Sequence, residues 1–182
     1  MAERLLRVRH TWSGRELPVE EQAHLQLSVT SEGLRVVVDS PWYDDPSPTC
    51  VPGLMDGLWE YEVIELFVAS EAHPSEYIEI ELAPTGHRLG LRFQGERRRV
   101  GAPFDVALDV RCEDGRWRGD ALIDRSRLPR APWRVNAFAL NGLGENRRYL
   151  MAYRLPGDAP NFHQPAHFPA WGTLPCVAEE KR

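Results

Sequence analysis

The chain has 182 residues, 42% hydrophobic and 27% charged, with three cysteines and a formal net charge of −5. That length fits one domain over residues 1–182, and no apolar run approaches the ~20 residues that cross a bilayer, which excludes the membrane-spanning and disordered classes. Acidity overall, with Lys181 the one lysine among arginines, argues against nucleic-acid binding, which needs a basic face.

In chain order, Met1 to Gly14 carries arginines but no apolar stretch long enough for a secretory signal, so a cytoplasmic location is expected. Leu25, Leu27 and Val29 alternate with polar partners, and Ser31-Glu32-Gly33 turns the chain into Leu34 to Asp39, an opening hairpin. The segment Ser40 to Leu58 is rich in Pro and Gly and has no periodicity; loops of that length in compact domains tend to be functional. It carries Trp42, Tyr43, Asp44 and Asp45. With Asp56 nearby, Asp44 and Asp45 suit either a structural calcium held through carboxylate and backbone oxygens or ordinary turn chemistry. No other cofactor is expected. Cys50, in the same loop, has no base placed beside it by the sequence, and no C-x-x-C spacing indicates zinc or a disulfide framework.

Three strands follow. In Tyr61 to Val68, Ile64, Leu66 and Val68 point to one side and Tyr61, Val63, Glu65 and Phe67 to the other. In Tyr77 to Leu82, Ile78, Ile80 and Leu82 are core-like, leaving Tyr77, Glu79 and Glu81 opposite. After Pro84-Thr85-Gly86, Leu89, Leu91 and Phe93 are core-like, leaving Arg88, Gly90 and Arg92 opposite. One polar face is thus predicted across three strands. A first hairpin centred near Ala72 sets Glu65 across from Glu79, and a second centred on Thr85 sets Glu81 beside Arg88. The run Arg97-Arg98-Arg99 reads as a solvated loop.

Phe104 to Arg111 alternates again, and Asp114-Gly115 turns the chain into Trp117 to Ile123. Cys112 is expected to be buried as a small hydrophobe. Asp124 to Leu128 suits one helical turn, Val135 to Leu143 and Tyr149 to Arg154 form a last pair of strands, and the tail from Gly157 is irregular. Eight to ten strands and almost no helix predict an all-β fold, a two-layer antiparallel β-sandwich.

Like charges opposite one another on a sheet repel unless compensated, so Glu65, Glu79 and Glu81 are the most informative cluster. Three readings stand. Arg88 and Arg92 neutralise the glutamates on a wet face; or the face hydrogen-bonds a hydroxyl-rich ligand, with Trp59 or Tyr61 as a flat surface for a sugar ring; or two carboxylates are the acid and base of a glycosidase. His163 and His167 have the i, i+4 spacing of a metal pair, but Pro165 opposes the helix that spacing needs, and both are expected to serve packing of the tail.

The stretch Gly57-Leu58-Trp59-Glu60-Tyr61-Glu62-Val63-Ile64-Glu65-Leu66-Phe67, the stretch Tyr77-Ile78-Glu79-Ile80-Glu81-Leu82-Ala83-Pro84-Thr85-Gly86 and the tail Asn161-Phe162-His163-Gln164-Pro165 with Phe168 together resemble the family 9 carbohydrate-binding modules and the wider DOMON-like β-sandwich group. They also resemble a small uncharacterised single-domain family of bacteria and animals. The resemblance implies a jelly-roll sandwich in which two aromatic rings hold a sugar while acidic and Arg side chains bond its hydroxyls. Trp59 matches the first aromatic, Glu65 the acid, and Glu79 and Arg88 further polar contacts; Trp42, Phe162 and Trp171 are candidates for the second aromatic. The expected function is a non-catalytic module binding a carbohydrate or sugar-containing molecule through Trp59, Tyr61, Glu65, Glu79, Glu81 and Arg88, rimmed by Trp42 and Tyr43. A protein-interaction domain is the alternative and a glycoside hydrolase the third reading. Neither nucleic acid nor membrane is an expected partner.

Overall fold

The computed structural model describes residues 3–177; Lys181 lies outside them. Two antiparallel sheets face one another. In chain order the strands are β1 (Arg4–Val8), β2 (His10–Thr11), β3 (Ala23–Val29), β4 (Gly33–Pro41), β5 (Val63–Ser70), β6 (Glu76–Leu82), β7 (Arg88–Gln94), β8 (Ala107–Glu113), β9 (Arg116–Asp124), β10 (Trp133–Asn141) and β11 (Arg148–Met151). One sheet has the order β1-β3-β4-β9-β8, the other β2-β11-β10-β5-β6-β7. Among the described residues the only helical pieces are three-residue 3-10 turns, one of them Arg125–Arg127 where a helical turn was expected. No helix is long and apolar enough to cross a membrane.

Strict alternation along β3 and β4 buries Leu25, Leu27, Leu34, Val36 and Val38 toward the partner sheet, which answers with Ile64, Leu66, Val68, Ile78, Ile80, Leu82, Val135 and Ala137. Period-two patterning is what lets a strand present one dry face. The opening strand β1 has only Leu6 and Val8 fully buried, a signal too brief for its sequence to announce it.

The six-stranded sheet is covered on its outer face as well. A second apolar cluster there joins Val63, Phe67 and Ala69 of β5, Tyr77 of β6, Leu89, Leu91 and Phe93 of β7, and Phe138 of β10 to Phe162 and Phe168 of the tail. All eight residues of β5 are therefore buried. The tail turn Pro165–His167 packs on β5 and β10 and closes this layer.

The register corrects one expected pairing, and the second hairpin, centred on Thr85 as expected, corrects the face given to Arg88. The β5–β6 hairpin pairs Glu65 with Glu81 and Phe67 with Glu79, because its centre lies one residue beyond Ala72, and each step of the centre moves a pairing by two. The β6–β7 hairpin pairs Leu82 with Arg88 and Glu81 with Leu89. Residues directly opposite share a face, so Leu89, Leu91 and Phe93 lie on the glutamate side and Arg88, Gly90 and Arg92 on the other. Gly90 is required where it stands: a Cβ there would come within 2.3 Å of the Phe104 ring. Cys112 is exposed rather than buried.

Candidate functional site

The face predicted to be wet is roofed. Glu65, Glu79 and Glu81 are 2%, 5% and 0% exposed, under the long loop on one side and the tail on the other. Above them opens a cavity of about 420 Å³ lined by Trp59, Glu65, Glu79, Leu91, Phe93, Arg97, Arg99, Leu140, Tyr149, Pro160, Phe162 and His163.

The floor is set by strand pairing. Glu65 and Glu81 are opposite partners on β5 and β6, with Glu79 two residues along the same face. One carboxylate oxygen from each lies within 4.8 Å of the other two. Burial holds all three in the protonated form well above the usual carboxylate range. For Glu65 the charge of Glu79 adds to that and Arg147 opposes it; for Glu81 the charges of Glu65 and Glu79 add to it. Glu79 is pushed up to about 8 by burial, against the pull of Arg99 and Arg97.

The walls are aromatic. Phe162 stacks on Phe138 at 4.0 Å between ring centroids, and Tyr77 on Phe93 at 4.8 Å. The Arg97 backbone N–H donates to the Tyr77 hydroxyl at 3.0 Å, and that hydroxyl meets His163 Nδ1 at 2.9 Å. The other ring nitrogen, Nε2, lies 4.0 Å from Glu79 Oε2. Burial, with Arg97 adding to it, lowers His163 to about 4.

The rim is tied down by arginines. Trp59, 37% exposed, sits in the 3-10 turn Leu58–Glu60. Arg147 donates to the carbonyls of Trp59 at 2.6 Å, Tyr61 at 2.9 Å and Gly142 at 3.0 Å. Arg99 lies 5.8 Å over the Trp59 ring and bonds both oxygens of Asp56. Arg97 reaches Asn161 Oδ1 at 3.1 Å. The arginine run thus edges the cavity instead of forming a plain solvated loop.

Of the residues singled out in the sequence, Trp59, Glu65 and Glu79 line the cavity, and Glu81 lies fully buried beside the two glutamates. Arg88 does not join them; it faces the other side of β7 and makes a bidentate pair with Asp105 at 2.7 and 3.1 Å. Trp42 and Tyr61 line a separate, much smaller cleft beside Glu62, and Tyr43 lies under Arg148 at 5.6 Å. The Tyr43 and Asp45 backbone N–H groups donate to Glu62. Asp45 caps the Gly142 N–H at 2.6 Å, far in purpose from Asp56 at the cavity rim. Phe162, one of three candidate second aromatics, enters the cavity wall; His163 enters with it, while His167 stays exposed. Arg97, Arg99, Tyr149 and His163 were not placed at the site by the sequence reading: Arg97 and Arg99 reach it from the irregular loop after β7, Tyr149 from β11 beside β10, and His163 from the tail.

Contrary to the sequence reading, Cys50 does have an imidazole beside it, His87 Nε2 at 3.4 Å, but the same nitrogen lies 3.2 Å from the Cys50 carbonyl, and Nδ1 meets the Thr85 hydroxyl at 2.7 Å. A donated Nε2–H to the carbonyl and an accepted Thr85 O–H satisfy the ring and leave no base for the thiol.

No protein-family profile matches the chain. It is 31% identical to a zebrafish (Danio rerio) protein named UPF0462 protein C4orf33 homolog, over 88% of this chain and 85% of that one. The mouse (Mus musculus) homolog is 30% identical over 97% and 95%, and the human (Homo sapiens) protein 28% over 96% and 90%. Among solved structures, one from Bacteroides uniformis named a "putative carbohydrate-binding protein" superposes with a TM-score of 0.69 at 15% identity, covering 92% of this chain and 84% of that one. The latter likeness is one of fold. Identity sustained over nearly the full length of the animal proteins decides the kinship: the chain belongs to the UPF0462 (C4orf33) family.

Proposed function

We propose that the cavity over Glu65 and Glu79 binds a carbohydrate or sugar-containing molecule without chemically altering it. The observation that carries this reading is the pairing of surfaces in one cleft: a half-exposed Trp59 and the Phe162 and Tyr149 rings along its walls, carboxyl groups at its floor and guanidinium groups at its rim. Sugars present apolar C–H faces to rings and hydroxyls to polar groups, and this cleft offers both. Its volume, about 420 Å³, falls in the ~300–1,000 Å³ range of small-molecule sites. The resemblance of the Trp59 and Glu65 stretch to the family 9 carbohydrate-binding modules supports the same ligand class, as does the printed name of the Bacteroides uniformis neighbour.

Binding without turnover is favoured over glycoside hydrolysis by the direction of the acid strengths. A glycosidase needs two carboxyl groups pushed apart, one kept as acid and one ionised. Here burial pushes all three the same way.

The test is calorimetry with a panel of mono- and oligosaccharides. A sugar that binds wild type is expected to lose at least about tenfold in affinity with Trp59→Ala, roughly the worth of one aromatic contact, and to weaken with Glu65→Gln. Absence of binding across the panel would end the sugar reading, and unchanged affinity in both variants would move the site elsewhere.

A further inference from the structure

Glu81 is fully buried, and neither of its oxygens accepts a hydrogen bond from any protein group. A carboxylate in that position is costly unless something positive meets it. None of the three glutamates is in an ion pair with an arginine among the described residues. Arg99 is held by Asp56, Arg97 by Asn161 and Arg147 by three backbone carbonyls. His163 keeps Nδ1 for Tyr77 and turns its other nitrogen toward Glu79.

The cluster is compact enough to share one ion. Oxygens bound to one calcium ion at ~2.3–2.6 Å stand at most ~4.6–5.2 Å apart, and one oxygen from each of the three glutamates lies within 4.8 Å of the other two. All are hard oxygen donors, with no thiolate in the set, which disfavours zinc and copper. Glu65 and Glu79 also open onto the cavity, so an ion has a route in and coordination positions left for water or ligand hydroxyls.

We infer that Glu65, Glu79 and Glu81 form a site for one divalent, oxygen-preferring cation of the calcium, manganese and magnesium class. The site is distinct from the loop aspartates considered from the sequence, and it holds whether or not a sugar occupies the cavity above.

The test titrates chelator-treated protein with CaCl2 and with MnCl2, followed by calorimetry and by amide NMR spectra. One ion per chain is expected, with a Kd of about 10⁻⁶ to 10⁻⁴ M. Manganese should broaden the signals of β5 and β6 around the three glutamates and spare those of residues 42–50. Glu81→Gln is expected to weaken binding at least about tenfold by removing one anionic ligand, and Asp44→Asn to leave it unchanged, thermal melts confirming that both fold. The inference is overturned if wild type binds neither ion at about 1 mM, a concentration at the weak end of protein calcium sites. Broadening centred on the loop, or loss of binding in Asp44→Asn with none in Glu81→Gln, overturns it equally. Because the wild-type titration and broadening need no variant and no sugar, failure here is separable from failure of the carbohydrate reading.

Discussion

The outer faces of the two sheets treat charge in opposite ways. On the five-stranded sheet, Arg35 pairs with Asp120, and Asp39 with both Arg116 and Arg118, all with partly exposed side chains. On the six-stranded sheet, three carboxyl groups are buried together beneath aromatic rings without an arginine partner. Exposed pairs cost little and contribute little. Buried carboxyl groups work against folding whether they stay protonated without hydrogen-bond partners or ionise together, so the second face departs from the arrangement that stability alone favours, and the departure coincides with an aromatic-walled cleft of about 420 Å³.

The largest effect is expected from removing the aromatic layer itself. Phe67 is fully buried against Tyr77, Phe138, His163 and Phe168, and Phe67→Ala should cost about 3–5 kcal/mol in urea denaturation; a cost near zero would mean the outer layer is no core at all. Next comes Glu81→Met, an apolar replacement of an unpartnered carboxyl, which should stabilise metal-free protein by about 1–4 kcal/mol at pH 8. Equal destabilisation would show that the glutamate is held by contacts of its own.

Acidity sharpens the contrast further. A carboxyl raised in the folded state is protonated there while the unfolded chain ionises, so the folded form binds more protons and stability falls as pH rises. For Glu79 the window runs from the ordinary value of 4.5 to about 8, and metal-free protein should lose about 1.4 kcal/mol per pH unit for each such group across it. Melts at pH 5 and pH 8 check the sign, and Glu79→Gln should flatten the slope. His163 has the opposite sign: lowered to about 4, it should remain neutral in imidazole NMR spectra through pH 5, and its resistance to protonation removes stability only as pH falls below the ordinary histidine value of 6.5. The smallest effect belongs to the exposed face. Asp120→Asn should shift the thermal midpoint less than any change above, and by less again in high salt.

Much of the fold was legible because turns and period-two runs coincide: Ser31-Glu32-Gly33 joins β3 to β4, and Asp114-Gly115 joins β8 to β9. The faces of β5 and β6 were legible too. Their cover was not, although β5 carries the clue. Val63, Phe67 and Ala69 flank Glu65 on its own side, and a strand apolar on both sides is buried on both sides. The side of Arg88 was legible as well and was misassigned: a hairpin centred on Thr85 pairs Leu82 with Arg88, and residues directly opposite share a face, so Arg88 belongs with Leu82 and not with Glu81. Contacts from residues 97, 99, 162 and 163 arise from irregular backbone, which has no period to read.

Arg147 gives the cleft a property beyond its shape. By bonding the carbonyls of Trp59, Tyr61 and Gly142, one guanidinium fixes the turn that carries the exposed indole to the connection between β10 and β11. The backbone ordering that a ligand would otherwise have to impose on that turn is completed when the chain folds. Such preorganisation spares the complex an entropic cost of roughly 1–2 kcal/mol for each residue already held.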